Sequence, residues 1–205
     1  MSVTIIIIVI TAGISVLAFS NRSLFEKLKF NAYDVKHNRH WYKFFTYGLV
    51  HADFLHLAVN MIVLLSFGRI VETYFSILFP DRNIFDYLLL YVGALMISIL
   101  PAYSKHKNDV FYSAVGASGA VSAVIFASII LYPTGKIMLF FIPIGIPSPI
   151  FGLLYIGYEL YMSKKSNDNI GHDAHLWGAI YGVIFTLGMK PSLALRFLEQ
   201  LGVRF

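Results

Sequence analysis

From Ser113 to Tyr132 the chain carries no charged side chain, and apolar runs of this kind decide what the protein can fold into. Crossing the hydrocarbon core of a bilayer as a helix takes about 20 mostly apolar residues. Within that core each backbone polar group must find its partner inside the protein, which favours the helix. Six segments are expected to span: residues 3–19, 54–78, 85–103, 113–132, 150–162 and 174–189. Composition agrees, with 58% hydrophobic and 13% charged residues and a mean hydropathy of +0.70. Soluble domains carry about 25% charged residues. The expected class is therefore an all-α membrane protein, with residues 1–205 forming one domain.

The fifth segment is the least regular. Residues 136–162 are apolar but interrupted by Pro143, Pro147 and Pro149, and proline removes a backbone donor and clashes with the preceding turn. Residues 136–149 are expected to be an extended or interfacial loop, followed by a short, easily displaced helix over 150–162 whose depth Glu159 sets. The N-terminal run lacks a basic leader and a small-residue cleavage site, so it reads as a first membrane helix rather than a signal sequence.

Residues 20–53 form a long polar connection with six basic side chains. Ser23 and Glu26 have capping-box spacing, predicting a short amphipathic helix over 24–30. Trp41, Tyr42, Phe44, Phe45 and Tyr47 suit a segment lying in the interface. The net charge of +5 is spread over loops, a pattern that suits lipid headgroups rather than nucleic acid. Ten of the sixteen Lys and Arg fall in the odd-numbered loops, which by charge alone places those loops in the cytoplasm. With no cysteine, thiolate chemistry and disulfides are excluded.

Three polar clusters interrupt the apolar helices. His56 and Asn60 are one helical turn apart, so they share a face. Ser118 sits in Gly116-Ala117-Ser118-Gly119, and His175 in Ala174-His175-Leu176-Trp177-Gly178. All three clusters lie near the starts of helices that enter from the same side, so they share a shallow depth. Polar side chains inside a membrane are expensive, and a coplanar set of them points to function.

Serine becomes a nucleophile when a base takes its proton, and histidine is suited to that near neutral pH. Gly116 and Gly119 clear space around Ser118, while Gly178 and Gly182 put a small-residue face on the sixth helix. The Ser118 amide, Asn60 and His56 are candidate donors to an oxyanion. No carboxylate is evident beside His175, so a dyad is expected. Each cluster alone has an ordinary explanation: helix packing for the glycines, interhelical hydrogen bonding for His56 and Asn60, a buried structural histidine for His175. Together these would require three coincidences of depth and side.

The residues resemble the rhomboid family of intramembrane serine proteases. The run from His51 through His56 and Asn60 to Met61, then Phe67-Gly68 and Val71-Glu72, the Gly-x-Ser-Gly around Ser118, and Ala174-His175 with Gly178 and Gly182 match that family's motifs in order, over nearly the whole chain. The resemblance implies a six-helix rhomboid-like bundle with a long structured first loop. It implies Ser118 as nucleophile, His175 as general base, and His56 with Asn60 lining the oxyanion hole. It also implies substrates that are transmembrane proteins, cut near the outer ends of their helices, and a fifth helix acting as lateral gate. Odd loops would then face away from the cytoplasm, against the charge count, and the resemblance is preferred. The expected setting is the bilayer of a bacterial inner membrane, with no cofactor.

Two positions depart from the family. Ser122 stands where an aromatic ring often packs on the base, leaving Tyr112, Tyr155 and Trp177 as candidates to hold His175. Tyr42-Lys43 stands where several members have Trp-Arg. Two rivals differ in class: an inactive relative that binds membrane clients, and a metalloprotein using His51, His56, His172 and His175 with Asp53 or Asp173. Loss of the serine or histidine would mark the first, and both are present. For the second, no His-Glu-x-x-His occurs, and His51 and His172 read as ordinary hydrated histidines. Insensitivity to chelators would separate the serine enzyme from the metal reading.

Overall fold

The computed structural model describes residues 2–138, 144–165 and 171–203; Pro143 lies outside them. The first helix, α1 (Val3–Ser20), starts where Ser2 caps the Ile5 amide. It runs antiparallel to α5 (Phe54–Leu78), with Phe19 against Phe54 at one end. At the other end Glu72 of α5 accepts from Ser2 Oγ at 2.6 Å, Val3 N at 2.8 Å and Thr4 Oγ1 at 2.9 Å. A carboxylate at a helix N-terminus satisfies orphan amides and meets the positive end of the helix dipole. Nearby, Gly68 leaves room for Tyr87 of α6 (Asn83–His106) and Thr4 of α1 to meet at 3.0 Å. The Phe67-Gly68 and Val71-Glu72 motifs thus join three helices.

Between α1 and α5 the chain forms a small structured layer: α2 (Arg22–Leu28), β1 (Phe30–Asn31), α3 (Ala32–His37), α4 (Lys43–Thr46) and a 3-10 turn at Tyr47–Leu49. The α2 cap is Asn21, accepting from Leu24 N at 3.0 Å, not Ser23 as the capping-box spacing suggested. Glu26 instead pairs with Arg22 and, at 2.7 Å, Lys29. Lys43, at the position that departs from the family pattern, is buried and ties the layer together. It donates to Asp34 Oδ2 at 2.9 Å and the Glu26 carbonyl at 3.2 Å. Of the aromatic cluster, Phe44 and Tyr47 are buried, while Trp41, Tyr42 and Phe45 stay exposed.

A helix over 113–132 does not form as a whole. Ser113–Ala114 is strand β2, antiparallel to β1 with Asn31 opposite Ser113 and Phe30 opposite Ala114. Asn31 also donates to the Val110 and Tyr112 carbonyls. Gly116 then turns the chain at φ +108°, in the left-handed region that glycine tolerates, and α7 begins at Ser118 (Ser118–Leu131). At about 1.5 Å per residue α7 is about 21 Å long. Nearly all its side chains are buried, because α5, α6 and α9 (His172–Met189) pack around it, with α8 (Ser148–Lys165) and α10 (Ser192–Gln200) also in contact.

Of the extended stretch expected after α7, β3 (Lys136–Met138) pairs antiparallel with β4 (Gly145–Pro147), and residues 139–143 lie outside the described residues. The fifth helix starts at Ser148 and ends at Lys165, longer at both ends than expected. Pro149 fits because a first-turn proline gives up no intrahelical bond. Among the described residues, α1, α5 and α6 are each long and apolar enough to cross a membrane, and α9 with α10, bent by 110°, makes a fourth candidate. The remaining two expected spans fall short for definable reasons. α7 has 14 residues, and α8 carries Glu159, Lys164 and Lys165 within 18.

Candidate active site

The start of α7 is held in place from the first loop. The Gly116 amide donates to the Tyr47 carbonyl at 3.0 Å, and the Ala117 amide donates to His51 Nε2 at 3.3 Å. Because Nε2 accepts, the proton of the neutral ring sits on Nδ1, which donates to Ser15 Oγ at 2.9 Å; that hydroxyl donates on to the Leu49 carbonyl at 2.9 Å. His51 is fully buried, not the hydrated histidine expected. Burial, reinforced by the neighbouring His56, pushes its imidazole down to about 3, so it stays a neutral acceptor.

The first intrahelical bond of α7 runs from Val121 N to Ala117 O at 2.9 Å. The amides of Ser118, Gly119 and Ala120 therefore precede the helical ladder and have no partner within it. Such amides are the donors an oxyanion at Ser118 would need.

Helix α5 presents His56 beside this turn, with Asn60 one helical turn further along the same face. Asp53 caps α5 by accepting from His56 N at 2.7 Å, which stops the helix one turn short of His51. A side chain at Gly116 would strike the His56 ring, its Cβ falling 2.6 Å from Cε1. Gly116 thus serves both the turn and the approach of His56. Asn60 is buried and spends one amide hydrogen on the His56 carbonyl at 2.9 Å.

The third wall is α9, which meets α7 backbone to backbone. A Cβ on Gly178 would overlap the Gly119 carbonyl, and one on Gly182 the Ala123 carbonyl. Gly119 itself faces Ser98 and the Ala174 carbonyl. Ser118, just before Gly119, and His175, one turn before Gly178, therefore flank the closest approach of the two helices. Ser118 is half-buried, and the His175 side chain is 17% exposed.

A carboxylate does stand beside His175, contrary to the sequence expectation. Glu159 of α8 lies 3.0 Å from His175 Nδ1 through Oε1 and 2.6 Å from His172 Nδ1 through Oε2. Both Glu159 and His172 are buried. The signal was available, since Glu159 is the one acidic residue in the expected fifth span, residues 150–162, and a charge within an apolar membrane segment is a functional marker. Reading it as a depth marker missed its partners.

The three candidate aromatic rings go separate ways. Tyr155 of α8 reaches Ser122 at 2.7 Å, and Ser122 Oγ donates to the Ser118 carbonyl at 2.9 Å. A ring is thus brought to the Ser122 position from another helix. Tyr112 stacks on His106, and Trp177 is exposed.

The four histidines of the metal reading do not converge. Both ring nitrogens of His51 are engaged by Ser15 and Ala117, and Asp53 caps α5. Among the described residues, Glu159, His172 and His175 form the one set with ligand atoms within 4.8 Å of each other. Its 2.6 and 3.0 Å separations are those of hydrogen bonds. Ligands about 2.0–2.1 Å from a tetrahedral zinc would stand farther apart.

The comparisons with known proteins meet this geometry. The profile of the Rhomboid domain matches residues 38–192, from the first-loop layer to the start of α10. RHOMBOID-like protein 12, mitochondrial, of Arabidopsis thaliana is 30% identical over 151 residues, covering 68% of this chain and 44% of the relative. Rhomboid-like protein 11, chloroplastic, of the same plant is 30% identical over 176 residues, covering 76% and 55%. Rhomboid protein 1, mitochondrial, of Saccharomyces cerevisiae is 28% identical over 138 residues, covering 66% and 38%. The chain thus spans about half the length of these relatives. Their names are mitochondrial and chloroplastic and lend no support to the bacterial inner membrane expected from the sequence. The profile match covers most of the chain and two relatives are 30% identical over more than two thirds of it, so the chain belongs to the rhomboid family.

Proposed function

We propose that the protein is an intramembrane serine endopeptidase that hydrolyses peptide bonds in or near the transmembrane segments of other membrane proteins. Ser118 is the nucleophile and His175 its general base. The α7 N-terminal amides, with His56 and Asn60, receive the oxyanion. The single observation that carries this reading is the Gly119–Gly178 contact, which sets the serine-bearing and histidine-bearing turns side by side at the mouth of a buried helix.

In this reading α1, α5, α6, α7, α8 and α9 make a six-span bundle. The short α7 is shielded by its neighbours rather than by lipid, which suits a helix that begins below the surface and opens to water at Ser118. The first-loop layer lies on the side of the site, away from the cytoplasm. Exposed Leu153 and Leu154 give α8 a lipid-facing surface over which a substrate helix would approach.

The test is cleavage of a reporter with one transmembrane segment, its outer end weakened by glycine or proline, in vesicles with the purified protein. Cleavage by wild type and none by Ser118→Ala is the expected result. An intact reporter with folded wild-type protein would favour a client-binding relative.

A further inference from the structure

Glu159 is 3% exposed, and a carboxylate removed from water is strongly unfavourable unless it is paired and hydrogen-bonded. Its pairing is unusual in using both oxygens on two histidines one turn apart on α9, His172 and His175. An ionised carboxylate only accepts, so the Nδ1 atoms facing it must carry protons. A neutral imidazole with its proton on Nδ1 has its lone pair on Nε2. The carboxylate comes from α8 and the imidazole from α9, so the packing of those two helices sets the orientation of the base.

We propose that Glu159 is the positioning residue for His175: its carboxylate binds the Nδ1–H and holds the ring in the tautomer whose Nε2 can take the Ser118 proton. This deepens the proteolytic reading and rests on it for its consequence in catalysis. The tautomer itself can be measured whether or not the protein cleaves anything. His172 shares the carboxylate and fixes its second oxygen, leaving Oε1 directed at His175. The dyad expected from sequence thereby gains a third member on a helix that contributes no residue to the reacting atoms.

The experiment is nitrogen NMR of the detergent-solubilised, histidine-labelled protein, with the His175 signals identified by their loss in His175→Ala. Wild type is expected to show a protonated Nδ1 and an unprotonated Nε2 at His175. Glu159→Gln is expected to move that ring toward the other tautomer. In cleavage assays the same variant should lower kcat by about 10²-fold, within the range a positioned proton carrier supplies, with KM changed less than about twofold. Glu159→Asp, which keeps the charge, should recover part of the loss.

A proton on Nε2 of His175 in wild type at neutral pH overturns the proposal, even if the variants fail to fold. So does an unmoved tautomer in Glu159→Gln, and so do His175 signals that change on addition of EDTA, which would give the cluster to a metal. A correct tautomer in a protein that cleaves no reporter would uphold the role of Glu159 and defeat the proteolytic reading alone.

Discussion

The two halves of the candidate site are held by different means. On the serine side the ties are to backbone: β1 pairs with β2, the Tyr47 carbonyl takes the Gly116 amide, and His51 takes the Ala117 amide. They come from a first-loop layer itself locked by Lys43 and Asn31. On the histidine side, His175 is held through a side chain, Glu159, from a helix with much of its surface exposed. Backbone ties fix a turn whatever its side chains do, whereas the tie on the His175 ring is a single buried carboxylate. Damage to the serine side should therefore appear first as lost stability, and damage to the histidine side as lost turnover.

The largest effect is expected where the halves meet. Gly178→Val would force α7 and α9 apart at the Gly119 carbonyl; overpacking of this kind costs about 1–3 kcal/mol or more. Thermal unfolding in detergent should drop and cleavage should vanish together. Asn60→Ala removes the proposed oxyanion donor and should lower kcat by about 10²–10³ at most, with the melting temperature little changed. An equal loss of stability would instead make Asn60 a structural tie on His56.

His51→Ala tests the serine side alone. It leaves the Ala117 amide and Ser15 hydroxyl without their ring partner, and an unsatisfied buried group costs about 1–3 kcal/mol. The unfolding midpoint should fall while residual activity per folded molecule stays measurable.

The smallest effect concerns the loop layer. Burial disfavours the Asp34 carboxylate, but the Lys43 ammonium outweighs it and holds the group below its usual range. A depressed carboxyl stabilises the fold above its unfolded value of about 3.9, and that contribution is lost as pH falls through the lower folded value. Acid titration of thermal stability should show this loss in wild type, and Lys43→Met should flatten it.

The long helices were legible because α1, α5 and α6 announce themselves by hydropathy alone. Residues 113–117 were not, since a charge-free run carries no mark of the strand that Phe30 and Asn31 impose from some eighty positions away. Gly116 was the local clue, and its φ of +108° explains why the helix cannot begin earlier. The capping-box spacing at Ser23 lost to Asn21, two residues earlier, whose side chain accepts the Leu24 amide.

In the site, Ser118, His56, Asn60, His175 and the four glycines fall around the α5, α7 and α9 junction, since motifs on helix faces carry their own geometry. His51 and Glu159 could be seen but not placed. Their partners lie on other elements, and only packing tells a buried loop histidine from a hydrated one.

The most direct test of the central claim is labelling of the solubilised protein with a fluorophosphonate, wild type beside Ser118→Ala and His175→Ala. Labelling of wild type and of neither variant is the outcome expected of a serine activated by His175. Labelling that persists in Ser118→Ala, or that is absent from folded wild type with probe access to the site established, would contradict it.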